Sequence, residues 1–331
     1  IPLLAVEAFA QKHEKPPINL VFFFEGEEEI GSPSISPYLT AHADKFASDV
    51  VISADGMMWG EDQYSLILSS KGMAGGQIDI ITAASDAHSG IYGGGIANAA
   101  RATAKIAASF HDANGKVAIE GFYDQVTPIT EQEAADIEAV PFDEKAFLGT
   151  IGATVPTGEA DYTTLERLWM RPTLDINGIW SGFQGEGSKT VTPAQGHIKI
   201  TCRLVPDQNP DEINDLIRLH VEQHLPAGAR AEFQLKTGTA RPFSIARDNP
   251  FMVAAAETLR EVGGKDPVYV RTGGTIPIAE VFKKHLGAEM VFFAFSIETS
   301  NAHAPNEWFR LEDLRNGPVA TVRYLERLAN A

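Results

Sequence analysis

The chain has 331 residues, 44% of them apolar and 21% charged, the balance of a globular protein with a sizeable core. At about 150 residues per domain, this length fits two domains. Against 27 Lys and Arg stand 44 Asp and Glu, a net charge of −17 that argues against nucleic acid or an anionic membrane as the main partner. A few local Arg residues can still hold one anionic group of a small substrate. No apolar run approaches the ~20 residues of a spanning helix. The single cysteine, Cys202, leaves no internal disulfide, so a reducing, cytoplasmic setting is expected.

The opening residues IPLLAVEAF place apolar side chains at Ile1, Leu4, Ala5, Ala8 and Phe9, a helical stripe with no N-cap. The sequence is expected to begin inside a helix, with an upstream segment lying outside it. Residues 18–24 (INLVFFF) form an unbroken apolar run, expected as a strand covered on both faces. Residues 49–56 (DVVISADG) read as a second strand with an acid at its end. This alternation predicts an α/β region with a mostly parallel sheet.

The character changes at SKGMAG, residues 70–75. Residues 76–84 alternate like a half-buried strand, 97–110 form an Ala-rich helix, and 196–205 (GHIKITCRLV) alternate again. Pro210 opens a helix with Ile213, Leu216, Ile217, Val221 and Leu225 on one side, and 229–236 form a following strand. These elements predict an α+β unit with helices on one face of an antiparallel sheet. Asn249, Pro250 and Gly263–Gly264 then bracket a helix, 289–296 (EMVFFAFS) read as a buried strand, and 318–328 as a closing helix. The expected fold is therefore a three-layer α/β catalytic domain in two pieces, 1–70 and 242–331, with an inserted α+β domain at 71–241.

The strongest local feature is FEGEEEIGS, residues 24–32, where carboxylates follow an apolar run directly. Ligands bind at the carboxyl ends of strands in open α/β sheets, and adjacent carboxylates favour a nearby cation. An acidic first turn of a helix explains the same residues equally well. Asp55 ends the next strand, where an Asp-Gly turn is common, and His303 in NAHAPNE follows the strand at 289–296. Two Glu, an Asp and a His after strands of one sheet form a donor set suited to Zn²⁺ or Mn²⁺.

Other motifs are weaker. HVEQH, residues 220–224, has its Glu out of register for His-Glu-x-x-His. GFQGEGSKT, 182–190, is one residue too long for a phosphate loop. No Gly-x-Ser-x-Gly elbow is present, and Cys202 sits in mid-strand. HSGIYGGG, 88–95, reads either as a functional His or as a loop His capping the Ala-rich helix; GGTIP, 273–277, reads either as a carboxylate-binding turn or as a plain one.

Taken together the motifs resemble the co-catalytic di-zinc peptidases and deacylases, a family that includes carnosinase, cytosolic nonspecific dipeptidase, aminoacylase and acetylornithine deacetylase. FEGEEEIGS, ISADG, KGMAGG, DAHSGIYGG, GFYDQV, GIWSGFQGEGSKTVTP, RLVPDQNP, GGTIP and NAHAPNE run in the family's order from Phe24 to Glu307. KTVTP, RLVP and GGTIP are similar to the carnosinase and nonspecific-dipeptidase branch. The resemblance implies Glu28 as general base, Glu29 and His303 as ligands of one metal and Asp55 as a ligand of the other. It implies that His88 reaches the partner subunit's site and steadies the oxyanion. Thr190, Arg203, Gly274 and Thr275 are implied to hold substrate, the last two its C-terminal carboxylate. The implied cofactor is zinc, two ions per subunit, with manganese as an alternative. The implied partners are a short peptide with a free C-terminal carboxylate and a second copy bound through the inserted domain. The family's His-x-Asp motif and bridging Asp fall before Ile1 in this pattern, so the sequence as it stands is expected to offer an incomplete two-metal centre. The expected activity is dipeptide hydrolysis; N-acyl amino acid deacylation by the same chemistry and a non-catalytic dimer are the alternatives.

Overall fold

The structure, a computed structural model, describes residues 1–236 and 240–330. The chain begins in a helix, α1 (Pro2–Gln11), with proline in its first turn and no side-chain cap; Ala5 and Phe9 are its buried face. Residues 18–24 follow, and here expectation and structure differ. The segment joins no ladder among the described residues. Ile18, Leu20 and Phe23 pack on the core, whereas Val21, Phe22 and Phe24 face solvent, Phe22 and Phe24 stacking with ring centroids 6.0 Å apart. Without a hydrogen-bonded neighbour, an apolar run supplies one buried face, and the other stays open.

Next come α2 (Ile35–His42), β1 (Val50–Ser53), β2 (Met57–Met58) and β3 (Ser65–Ser70). The insert holds β4 (Gly72–Ile81), β5 (Ala87–His88), α3 (Ser89–Tyr92), α4 (Ala99–Ser109), α5 (Glu131–Glu138), α6 (Glu144–Gly149), α7 (Thr164–Met170), β6 (Thr173–Ser181), β7 (Val191–Thr192), β8 (Gln195–Leu204), α8 (Pro210–His224) and β9 (Arg230–Leu235). The chain closes with β10 (Phe243–Ser244), α9 (Pro250–Gly263), β11 (Val268–Thr272), α10 (Pro277–Leu286), β12 (Glu289–Phe292), β13 (Ser296–Ile297) and α11 (Leu311–Leu328).

In the first and last stretches β1 pairs with β12, β2 with β13 and β3 with β11, all in parallel, while β10 adds an antiparallel edge to β3. Their shared core includes Leu39, Leu66, Met252, Val291 and the fully buried Tyr324, whose hydroxyl donates to the Phe251 carbonyl at 3.0 Å. The expected strand at 289–296 is split, β12 ending before β13 begins. The closing helix starts earlier than Pro318 suggests. Arg310 grips the buried Asp313 carboxylate at 2.6 and 2.7 Å and anchors the first turn, so α11 runs through the proline.

The insert is a four-stranded antiparallel sheet of order β6-β8-β4-β9. Along β8, Gly196, Ile198, Ile200, Cys202 and Leu204 are buried, and the residues between them are not, which is the two-residue period of a half-covered strand. α4 and α8 cover the buried face through Ile106, Phe110, Ile213, Ile217 and Val221. The architecture is mixed α/β, as the sequence predicts. Four helices of the insert had no counterpart in that reading: α3, α5, α6 and α7. α5 and α7 open on capping boxes, Thr130 with Glu133 and Thr163 with Glu166, a Thr-x-x-Glu signal present in the sequence. Ile137, Val140, Leu165 and Trp169 from this helical layer pack on Val268 and Val270 of β11.

α8 also carries a buried titratable group, His220, beside the exposed His224. His220 stacks on His224 at 4.1 Å, and its Nε2 lies 2.9 Å from the Ser109 hydroxyl, which itself donates to the Ile106 carbonyl. Burial, then the neighbouring His224, push the His220 imidazole down to about 4. The unfolded chain, with His near 6.5, therefore binds the extra proton between those values. Stability should fall as pH drops from about 6.5 to about 4, with a contribution of up to roughly 1.4 kcal/mol per pH unit from this group. His220→Phe is expected to flatten that part of the stability–pH curve; an unchanged slope in urea unfolding would refute the assignment.

Candidate metal centre and substrate groups

The acidic loop after residues 18–24 turns through a short 3₁₀ segment, Glu28–Ile30, and leaves it at Gly31 in the left-handed region, φ 84°. Two of its carboxylates fold the loop itself. Glu25 accepts from the Ser32 hydroxyl at 2.7 Å and from the Glu27 amide at 3.1 Å, and Glu27 accepts from the Ser34 amide at 3.2 Å. Glu29 instead reaches His303, with Oε1 and Nε2 3.0 Å apart. Both side chains are more than 70% exposed. His303 is held at φ 60°, and Asn301 and Asn306 flank it at 58° and 62°. Left-handed backbone is uncommon for residues other than glycine, although Asn and His adopt it more readily than most.

Asp55 follows β1, and His303 follows β12 and β13. β1 pairs in parallel with β12 and β2 with β13, so Asp55, between β1 and β2, lies alongside the path that leads through β13 to His303. Glu28 lies among them. Partial burial, then the charges of Glu29, Asp55 and Glu25, raise its carboxyl pKa, and His303 opposes them. Glu28, Glu29, Asp55 and His303 thus occupy one electrostatic neighbourhood. As donors for one cation, Glu29 and His303 fit in chemistry and spacing: a carboxylate oxygen and an imidazole nitrogen at contact distance, open to solvent. Among the described residues, no three or more His, Cys, Asp or Glu side chains form a group that could hold a metal.

The substrate-side residues form two further groups. His88 sits beside Val191 in the two-residue ladder of β5 and β7, and the Ser89 amide donates to the Thr190 carbonyl at 3.1 Å. The ring caps α3, its Nδ1 accepting from the Gly90 amide at 3.0 Å, whereas the Ala-rich helix α4 is capped by Asn98. With Nδ1 accepting, a neutral His88 carries its proton on Nε2 and offers a donor there. In the second group, Arg203 of β8 donates to the Thr275 hydroxyl at 2.7 Å, joining the insert to the loop after β11. Gly274 lies in that loop, its amide donating to the Thr272 hydroxyl at 3.0 Å. The sequence reading assigned no role to Lys71, which the structure buries beside this loop.

These features define an α/β protein with an exposed acidic–imidazole cluster at a parallel-strand end and an inserted antiparallel domain. Residues 68–229 match the peptidase dimerisation domain. Across 99% of its length the chain is 29% identical to the Cys-Gly metallodipeptidase DUG1 of Candida albicans, spanning 69% of that protein. Across 92% it is 26% identical to the beta-Ala-His dipeptidase of Homo sapiens, spanning 61%. The solved M20 family metallo-carboxypeptidase Sso-CP2 of Sulfolobus solfataricus covers the whole chain with a TM-score of 0.79 and 27% identity, the chain spanning 75% of it. The Saccharomyces cerevisiae dipeptidase Dug1p does so with a TM-score of 0.74 and 27% identity, the chain spanning 71%. The chain therefore carries the dimerisation domain of the M20 peptidases and is homologous to that family's metallopeptidases. None of the helices described is long and apolar enough to cross a membrane.

Proposed function

We propose that this protein hydrolyses the amide bond of dipeptides bearing a free C-terminal carboxylate, as a zinc-dependent homodimer of the cytoplasm. In this reading residues 1–70 and 242–331 form the catalytic domain and 71–241 the lid and dimerisation domain. The observation that carries it is the Glu29–His303 pair at 3.0 Å beside Glu28, whose carboxyl pKa is raised by partial burial and the neighbouring carboxylates. Glu29 and His303 are ligands of one metal and Asp55 of the other, with zinc preferred and manganese possible. When bound, the metals supply Lewis-acid polarisation and a more acidic water.

The chain's own residues do the rest. Glu28 accepts a proton from the attacking water on its carboxylate and returns one to the leaving amine. His88, reaching the partner subunit's site, donates from Nε2 where negative charge develops on the carbonyl oxygen. Arg203 has the fork geometry to grip a carboxylate bidentately, and Thr190, Gly274 and Thr275 add neutral donors.

A panel of dipeptides and N-acyl amino acids, assayed with purified protein before and after dialysis against a chelator, tests this reading. Dipeptides are expected to be cleaved, chelation to abolish turnover, and zinc or manganese to restore it. His303→Ala should weaken metal retention at least about tenfold. Preference for acyl amino acids would make the enzyme a deacylase. Chelator-resistant turnover would remove the metal from the mechanism.

A further inference from the structure

Lys71 stands where the chain crosses from β3 into the insert, and it is 2% exposed. Among the described residues, no carboxylate pairs with it at contact distance. Its Nζ donates instead to the carbonyls of Arg167 at 2.9 Å and Arg171 at 2.5 Å, the free end of α7. Helix-end carbonyls carry partial negative charge, so a buried ammonium is well placed there. Its own amide is shared between the carbonyls of Thr272 and Gly274, at 3.2 and 3.0 Å. α7 also presses directly on this loop: a Cβ on Gly273 would lie 3.0 Å from the Leu168 carbonyl oxygen. One residue thus ties the end of α7, the domain crossing and the 272–274 backbone together. The next residue, Thr275, receives the Arg203 bond from the insert.

We propose that Lys71 is a positioning residue: by clamping the end of α7 to the 272–275 loop, it fixes the spacing between Arg203 and Thr275 and so sets the grip on the substrate's C-terminal carboxylate. This rests on the dipeptidase reading above. Burial lowers the Lys71 amine to about 7; Asp175 and Glu159 pull it back up, and Arg203 and Arg171 press it down. The desolvated amine is held in place by the carbonyls of Arg167 and Arg171, and methionine, which has no donor, cannot make those bonds.

Lys71→Met and Lys71→Arg in the full chain, assayed on a dipeptide and on its C-terminal amide, separate positioning from general support of the fold. Lys71→Met should raise KM for the free acid about tenfold or more while kcat stays within about twofold, with the amide unaffected. Lys71→Arg, which keeps the donors, should restore KM to within about threefold. Equal effects on acid and amide, or a fall in kcat at constant KM, would overturn the proposal. Hydrogen exchange supplies a readout independent of turnover: amides of residues 272–276 should lose protection in Lys71→Met while the α4–α8 core keeps its own. If the wild-type protein cleaves neither substrate, the dipeptidase reading falls, and unchanged protection at 272–276 would then overturn the clamp as well. Should Lys71→Met fail to fold, Lys71→Gln, with a single donor group, is held to the same comparison.

Discussion

Glu28→Gln is expected to lower kcat for dipeptide hydrolysis by about 10²–10⁴, the usual contribution of a positioned proton-transfer group. Gln preserves size and polarity but cannot take up the proton. The side chain sits on an exposed 3₁₀ turn whose shape is kept by Glu25 and Glu27, so the fold should be unaffected. Measured metal content decides between roles. Lost turnover with metal retained supports proton transfer, lost turnover with metal lost makes Glu28 a ligand, and turnover within about threefold of wild type removes it from the chemistry.

The second large effect is on the insert. Gly75 lies in β4 at φ 117°, and a Cβ there would come within 2.5 Å of the Ile200 carbonyl oxygen in β8. Its amide also accepts no freedom to move, because it donates to the side-chain oxygen of the buried Asn214 at 3.0 Å, whose Nδ2 in turn donates to the Lys236 carbonyl at 2.6 Å. Gly75→Ala must therefore shift a central strand against β8, and about 3–5 kcal/mol of destabilisation is expected. Gly149→Ala, where a Cβ meets nothing within 4 Å, is the matched control. Equal unfolding midpoints for the two variants would contradict the packing described for β4.

What the sequence revealed depended on how local the cause was. The alternation of β8, the Asn209–Pro210 start of α8 and the Asn249–Pro250 start of α9 are set by residues within a few positions of each other, and all are legible. The acidic loop, Asp55 and His303 are legible as candidates because each follows an apolar run in the sequence, and the structure brings them into one electrostatic neighbourhood around Glu28. Residues 18–24 misled because apolar composition does not show whether a neighbour exists on each side. The closeness of His88 to Thr190 depends on a two-residue ladder, too short to leave a period in the sequence. Lys71 was illegible for a different reason: a lysine after a strand looks like a surface turn, and its burial is imposed by α7, nearly a hundred residues further on.

The two passages between the outer stretches of the chain and the insert run side by side. The Met73 amide donates to the Ala240 carbonyl at 2.9 Å, and Gly72 has no space for a Cβ against Ala240 and Pro242. An excursion that departs and returns through touching strands resembles a cassette plugged in at one place along the chain. Removing it would leave two cut ends already adjacent, but it would also bare Val268 and Val270 of β11, which α5 and α7 cover, so an exchanged module would have to bring its own lining for that strand.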